Sequence, residues 1–167
     1  MEEFSVTIEK HLFQLRYLFF NFLFFLLIPV FFYFVAGRES ITFGIKVMIA
    51  GQIFFSLPCL MLHLRYAYLS KSLTLFFDKK GKMIVVRFKN EEKIYPLTEI
   101  KEIYKFKTIS EIRMSPWSAP WQNYSFAKII FNSGESIVIT SLLVPGLEWP
   151  MTLPNENIVA RILFCWV

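Results

Sequence analysis

The run YLFFNFLFFLLIPVFFYFVA, Tyr17 to Ala36, sets the first limit on this chain, because it holds 20 consecutive residues without a charge. At 1.5 Å per residue a helix of that length covers about 30 Å, the thickness of bilayer hydrocarbon. Asn21 and Pro29 interrupt it, and a transmembrane helix absorbs both. Gly37, Arg38, Glu39 and Ser40 break the pattern, and a second apolar run extends from about Ile45 to Leu64. Lys46 lies near its start and His63 near its end. The uncharged middle, Val47 to Leu62, is short, so Lys46 must snorkel toward a headgroup layer. These runs predict a transmembrane hairpin over residues 17–68, with spans at about 17–36 and 45–66, after an N-terminal segment 1–16. The acidic start MEEFSVTIEK, the length of the first run and the presence of a second argue against a cleaved signal peptide.

Basic residues near the span ends set orientation. Lys10 and Arg16 flank the first span, and Arg65, Lys71, Lys79, Lys80 and Lys82 follow the second. The connecting loop has only Arg38, with Lys46 just inside the second span. Both termini are therefore expected in the cytoplasm. Within the hairpin the polar side chains are Asn21, Gln52, Ser56 and His63. Rises counted along antiparallel helices put Asn21 about 6 Å and Gln52 about 20 Å from the inner end, too far apart to share a site. His63 is expected at the membrane edge, with His11 no obvious second ligand. No ionisable group falls at mid-depth, so the hairpin reads as an anchor rather than a pathway. Ala50, Gly51 and Ser56 also suit a helix–helix contact.

The 55% hydrophobic content is unevenly spread. Residues 1–69 hold five Lys/Arg against four Glu and nearly all the long apolar runs, whereas residues 70–167 hold 13 Lys/Arg against nine Asp/Glu. A lipid-compatible first half thus joins a water-compatible second half, 70–167, expected to fold as its own domain. Cys59 and Cys165, far apart in apolar surroundings, read as small buried hydrophobes rather than a disulfide framework.

From Ser72 the texture becomes β-rich. LTLFFD (73–78) and KMIVVRFKN (82–90) flank a Lys-Lys-Gly turn. KIYPLTEIKEIYKFKTI (93–109) fits a helix face or a strand, and its Thr, Ile, Tyr and Phe content with Pro96 favours strand. An irregular loop, RMSPWSAPWQN (113–123), precedes strands at about 124–131 and 135–142 joined by Asn132-Ser133-Gly134. In PNENIVARILFCWV, Asn155 suits an N-cap, and Ile158, Val159, Ile162, Leu163 and Trp166 form one stripe of a 3.6-residue period. The expected fold class is α+β, with an antiparallel sheet curled on itself and plugged by a C-terminal helix.

Two spans, then FFDKKGKMIVVRF, IYPLTEIKEIYKF and YSFAKIIFNSGESIVITSLLVP, resemble the bacterial pleckstrin-homology-like (PH-like) membrane proteins from about Tyr17 to Val167. The resemblance implies a helical hairpin carrying a seven-strand PH-like β-barrel closed by one helix, and a binding or scaffolding role at the inner membrane. The closing helix is short, and Pro145, Pro150 and Pro154 interrupt the stretch where the seventh strand would lie.

No catalytic constellation emerges: there is no glycine-rich phosphate loop, nucleophile elbow or His-Glu-x-x-His helix, and two His with two Cys do not make an ordinary zinc site. No enzyme activity, metal or cofactor is expected. Lys79, Lys80 and Lys82 of the first hairpin turn, with Arg87 and Lys89 on one strand face, are the candidate lipid-binding residues. The resemblance implies the same, since PH domains hold anionic headgroups with this hairpin. Non-specific attraction to an anionic leaflet, or mere solubility, accounts for the same charges. Trp117 and Trp121 suit packing, membrane contact or a protein partner. The partners expected are the bilayer and a protein, and a net +4 over residues 70–167 is too weak a charge for nucleic acid.

Overall fold

The computed structural model describes residues 1–113, 119–162, 165 and 167. Two helices, α1 (Ile8–Ala36) and α2 (Ile41–Ser70), run antiparallel and lead into a β domain. Thr7 caps α1, its Oγ1 accepting from the Lys10 amide at 3.4 Å. A turn at Gly37 (φ 81°) and a 3-10 helix at Arg38–Ser40 reverse the chain. Pro29 and Pro58 lie inside the helices without ending them. Close approach of the pair depends on glycine. A Cβ at Gly44 would sit 2.8 Å from the Pro29 Cα, and one at Gly51 would overlap the Phe25 ring.

Both helices continue past the apolar runs. α1 begins at Ile8, ahead of Tyr17, and α2 continues to Ser70. The segment before α1 is also structured: β1 (Glu2–Phe4) pairs antiparallel with β2 (Leu73–Asp78).

The β domain contains two four-stranded sheets. The first has the order β1-β2-β3-β4, with β3 at Met83–Phe88 and β4 at Glu91–Pro96, all antiparallel. The second has the order β7-β6-β5-β8, with β5 at Ile100–Thr108, β6 at Phe126–Phe131, β7 at Ser136–Thr140 and β8 at Glu156–Arg161. A short helix, α3 (Ile109–Ile112), follows β5. The strands from 73 to 142 lie where side-chain alternation and turn residues predict, and Gly134 takes the positive φ (86°) that its hairpin turn needs.

Two expectations are corrected. The strands do not close into a barrel, since the sheets form separate layers over a core of Leu75, Phe77, Ile84, Ile103, Ile129, Phe131 and Ile139. Tyr95 and Phe131 stack across them at 3.9 Å. Residues 156–161, expected as a closing helix, form β8, parallel to β5 with Ile103 opposite Glu156 and Thr108 opposite Arg161. The helical stripe was only a few turns long, and such a segment is marginal as a helix. β5 offers an unpaired edge, and Ile158 and Val159 favour extended backbone. Leu163 and Trp166 of that stripe lie outside the described residues. Asn155 is not an N-cap; it takes a φ of 53° and donates from Nδ2 to the Lys101 carbonyl at 2.9 Å. Residues 145–154 hold a 3-10 turn at Pro145–Leu147 and no strand.

Candidate functional site

The first turn after the helices carries Lys79 and Lys80. The Asp78 carboxylate accepts from the Lys80 amide at 3.2 Å, and Lys79 pairs with Glu2 at 3.5 Å. Lys79 and Lys82 line an open cleft with Thr98, Met151 and Thr152. Arg87 and Lys89 are elsewhere. Five residues of strand separate Lys82 from Arg87, about 17 Å. Arg87 donates to the Glu92 carboxylate at 2.7 and 3.1 Å, and Lys89 has passed the end of β3 with a φ of 54°. The five basic residues therefore do not converge, and the common face expected of Arg87 and Lys89 ends with the strand.

Trp117 lies outside the described residues. Trp121 is buried and stacks on Phe55 of α2, centroids 5.6 Å apart and planes at 24°. It belongs to a second core, with Cys59, Leu62, Tyr66, Tyr124, Phe126, Leu142 and Cys165, that joins α2 to the β domain.

Polar bonds run through this junction. His63 is buried, its Nε2 2.9 Å from Nδ1 of His11 and its Nδ1 2.9 Å from the Tyr124 hydroxyl. Tyr66 donates to the Cys165 carbonyl at 2.7 Å, Ser70 and Thr140 share a bond of 2.6 Å, and Arg65 reaches the Val167 carbonyl oxygen at 2.9 Å. Lys10 donates to the carbonyls of Ser5 and Leu143, both at 2.7 Å. Burial raises the Tyr124 phenol, and Cys59 adds to the rise. Burial, then the Glu111 charge, pushes the Cys165 thiol up to about 12, with Arg161 opposing, so it stays protonated. His11 proves to be a partner of His63 after all. The available signal was that the chain's two histidines flank the hairpin at matching ends.

A second correction concerns the hairpin. Asn21 Nδ2 donates to Ser56 Oγ at 3.1 Å, Ser56 Oγ donates to Gln52 Oε1 at 2.6 Å, and Gln52 Nε2 donates to the Phe22 carbonyl at 3.2 Å. Asn21 and Gln52 thus share one cluster. Both helices continue beyond Tyr17 and Leu64, and their pairing follows the register that sets His11 beside His63, which brings Asn21 level with Gln52.

Beside the junction, α1 residues Phe13, Gln14, Arg16 and Tyr17 face Glu111 and Asn123 across a pocket of about 210 Å³. Glu111 Oε1 accepts from Lys107 Nζ at 3.1 Å and Ser125 Oγ at 3.3 Å. Burial raises the Glu111 carboxyl, and those two neighbours oppose the rise. No group of three or more His, Cys, Asp or Glu side chains placed to hold a metal occurs among the described residues.

The model of a family described as a PH domain matches residues 3–148, both helices, β2–β7 and all but the first residue of β1 included. No curated protein and no solved structure matches the chain. With that match covering most of its length, from β1 through the junction, the chain belongs to the PH-domain family.

Proposed function

We propose that this protein is a non-enzymatic, membrane-anchored PH-like interaction or scaffolding module, inserted by α1 and α2 in a bacterial inner membrane with both termini cytoplasmic. PH domains are interaction modules, and the family match supplies that starting point. The observation that carries the anchoring is the exposure of the helices. Both are long and apolar enough to span, yet only 6% and 11% of their most apolar windows are buried. A soluble protein buries such helices, because exposed apolar surface of this extent favours another phase. Where the domain covers the inner ends through Gln14, Leu62, His63 and Tyr66, lipid is excluded. About 19 residues of α1, Leu18–Ala36, and about 18 of α2, Ile41–Pro58, remain for hydrocarbon, about 28 Å, since Cys59 already belongs to the second core. The second span thereby shifts outward from 45–66.

The junction holds the domain at a set height and angle above the bilayer. Lys79, Lys80 and Lys82, with Arg87 and Lys89, then supply anionic-lipid attraction as two separate basic spots, and a protein partner takes the exposed sheet surface. Replacing the free helix segments by an unrelated hairpin, while keeping the junction residues, should preserve partner capture in mild detergent. Loss of capture would favour a second reading, in which the hairpin docks on a larger membrane complex. The apolar groove beside Gln52 and Ser56, lined by Leu18, Phe22, Ile53 and Leu57, supports that alternative. A reporter fused after Val167 that is active only on the far side of the membrane would overturn the orientation.

A further inference from the structure

We propose that the pocket between α1 and α3 binds an anionic phosphodiester bearing a small hydroxylated head, a phosphoglycerol, at the inner surface of the membrane. This rests on the membrane-anchored reading above. Three observations converge on that chemistry.

The first is position. Phe13, Arg16 and Tyr17 line the pocket, and Tyr17 opens the uncharged run. The pocket therefore opens where α1 leaves the covering domain for the bilayer, at the level of lipid phosphates.

The second is an unmet pair of polar atoms. Among the described residues, the buried Glu111 Oε2 and Asn123 Nδ2 have no hydrogen-bond partner. Leaving such atoms unsatisfied is costly, and native structures rarely do so without a reason. One is an acceptor and the other a donor, and a hydroxyl, which both donates and accepts, serves both.

The third is charge. Lys107 already compensates Glu111. Arg16 lies over the Phe13 ring at 3.8 Å and the Tyr17 ring at 4.7 Å and donates to the Tyr17 hydroxyl at 2.9 Å. Among the described residues it forms no ion pair. One positive charge is left over, which a phosphodiester neutralises by charge-assisted bonds. A zwitterionic ethanolamine head fits worse, because its ammonium would enter beside Lys107. The Lys79–Lys82 turn does not line this pocket, and its attraction for anionic lipid does not distinguish one head from another.

The test uses the full chain in mild detergent, with phosphatidylglycerol, phosphatidylethanolamine and phosphatidic acid of matched acyl chains added in equal amounts, and native mass spectrometry of the retained lipid. Phosphatidylglycerol should be retained preferentially, and Arg16→Gln should weaken that retention about tenfold. Asn123→Ala should erase the preference for phosphatidylglycerol over phosphatidic acid, which lacks the glycerol head, and it keeps the test usable should R16Q fold poorly. K79E/K80E/K82E should lower retention of phosphatidylglycerol and phosphatidic acid alike and leave the preference between the two intact, because these lysines do not line the pocket. Displacement by soluble glycerophosphoglycerol would identify a free headgroup as the source, and resistance to it a lipid. Equal retention of the ethanolamine lipid, or unchanged retention in both R16Q and N123A, would overturn the proposal. Release of the chain from membranes by alkaline carbonate would instead sink the anchoring, a separate result.

Discussion

His63 is held between His11 and Tyr124 by a partly buried bond to the first and a buried bond to the second. His63→Ala removes that link, leaves two polar groups facing a cavity and should cost about 2–4 kcal/mol. The measurement is the thermal midpoint in detergent, and an unchanged midpoint would show that the link is not structural. Tyr124→Phe keeps the ring and should cost about 1 kcal/mol. Glu135 is a different case. The carboxyl is held below its usual range by bonds from Lys93 and Tyr95, 2.8 and 2.9 Å long, that tie β4 to the β6–β7 turn. A depressed acid stabilises above its unfolded pKa and loses that contribution as pH falls through the folded value. Urea midpoints of the wild type and Glu135→Gln should therefore differ near neutrality and converge as pH falls below the ordinary carboxylate range. Constant separation over that range would remove the assignment.

α1 and α2 pack through Gly44 and Gly51, and the two sites differ in what a side chain meets. At Gly44 it meets Pro29 backbone, at Gly51 the movable Phe25 ring. Gly44→Val should therefore disrupt the hairpin more than Gly51→Ala, read as a larger fall in thermal midpoint. β8 makes its own prediction. Its parallel pairing with β5 leaves one edge open, so amide exchange over 156–161 should alternate between protected and fast positions. Uniform protection would restore the helix. The strands from 73 to 142 were readable because side-chain alternation and turn chemistry agree there. β8 was not, because Ile158, Val159 and Ile162 fit either period and only the free edge of β5 decides between them.

The anchor and the domain share one core. Cys59, Leu62 and Tyr66 pack with Tyr124, Phe126 and Leu142, and β1 joins the first sheet from the far side of the hairpin. Residues 70–167 were expected to fold separately, but cutting there removes β1 and strips one wall from the second core. The isolated fragment should bind a hydrophobic dye and unfold without cooperativity, whereas the full chain in detergent should unfold cooperatively. Cooperative unfolding of the fragment would show that the junction contributes little. Of the candidate site, the basic residues were legible as residue types. Their separation was not, because it depends on where β3 ends. The pocket of Arg16, Glu111 and Asn123 left no local signal, since Arg16 is about a hundred residues from the other two in sequence.

From composition and periodicity alone came two oily helices, the order of the β-strands and the lack of a recognisable catalytic motif, because each depends on neighbours within about twenty positions. The register of the helices, the two open sheets in place of a barrel, the strand at 156–161 and the histidine pair were settled only in three dimensions. Each of these is a choice among backbone edges or faces that are far apart along the chain. Local preference is nearly neutral there, and burial and hydrogen-bond satisfaction decide.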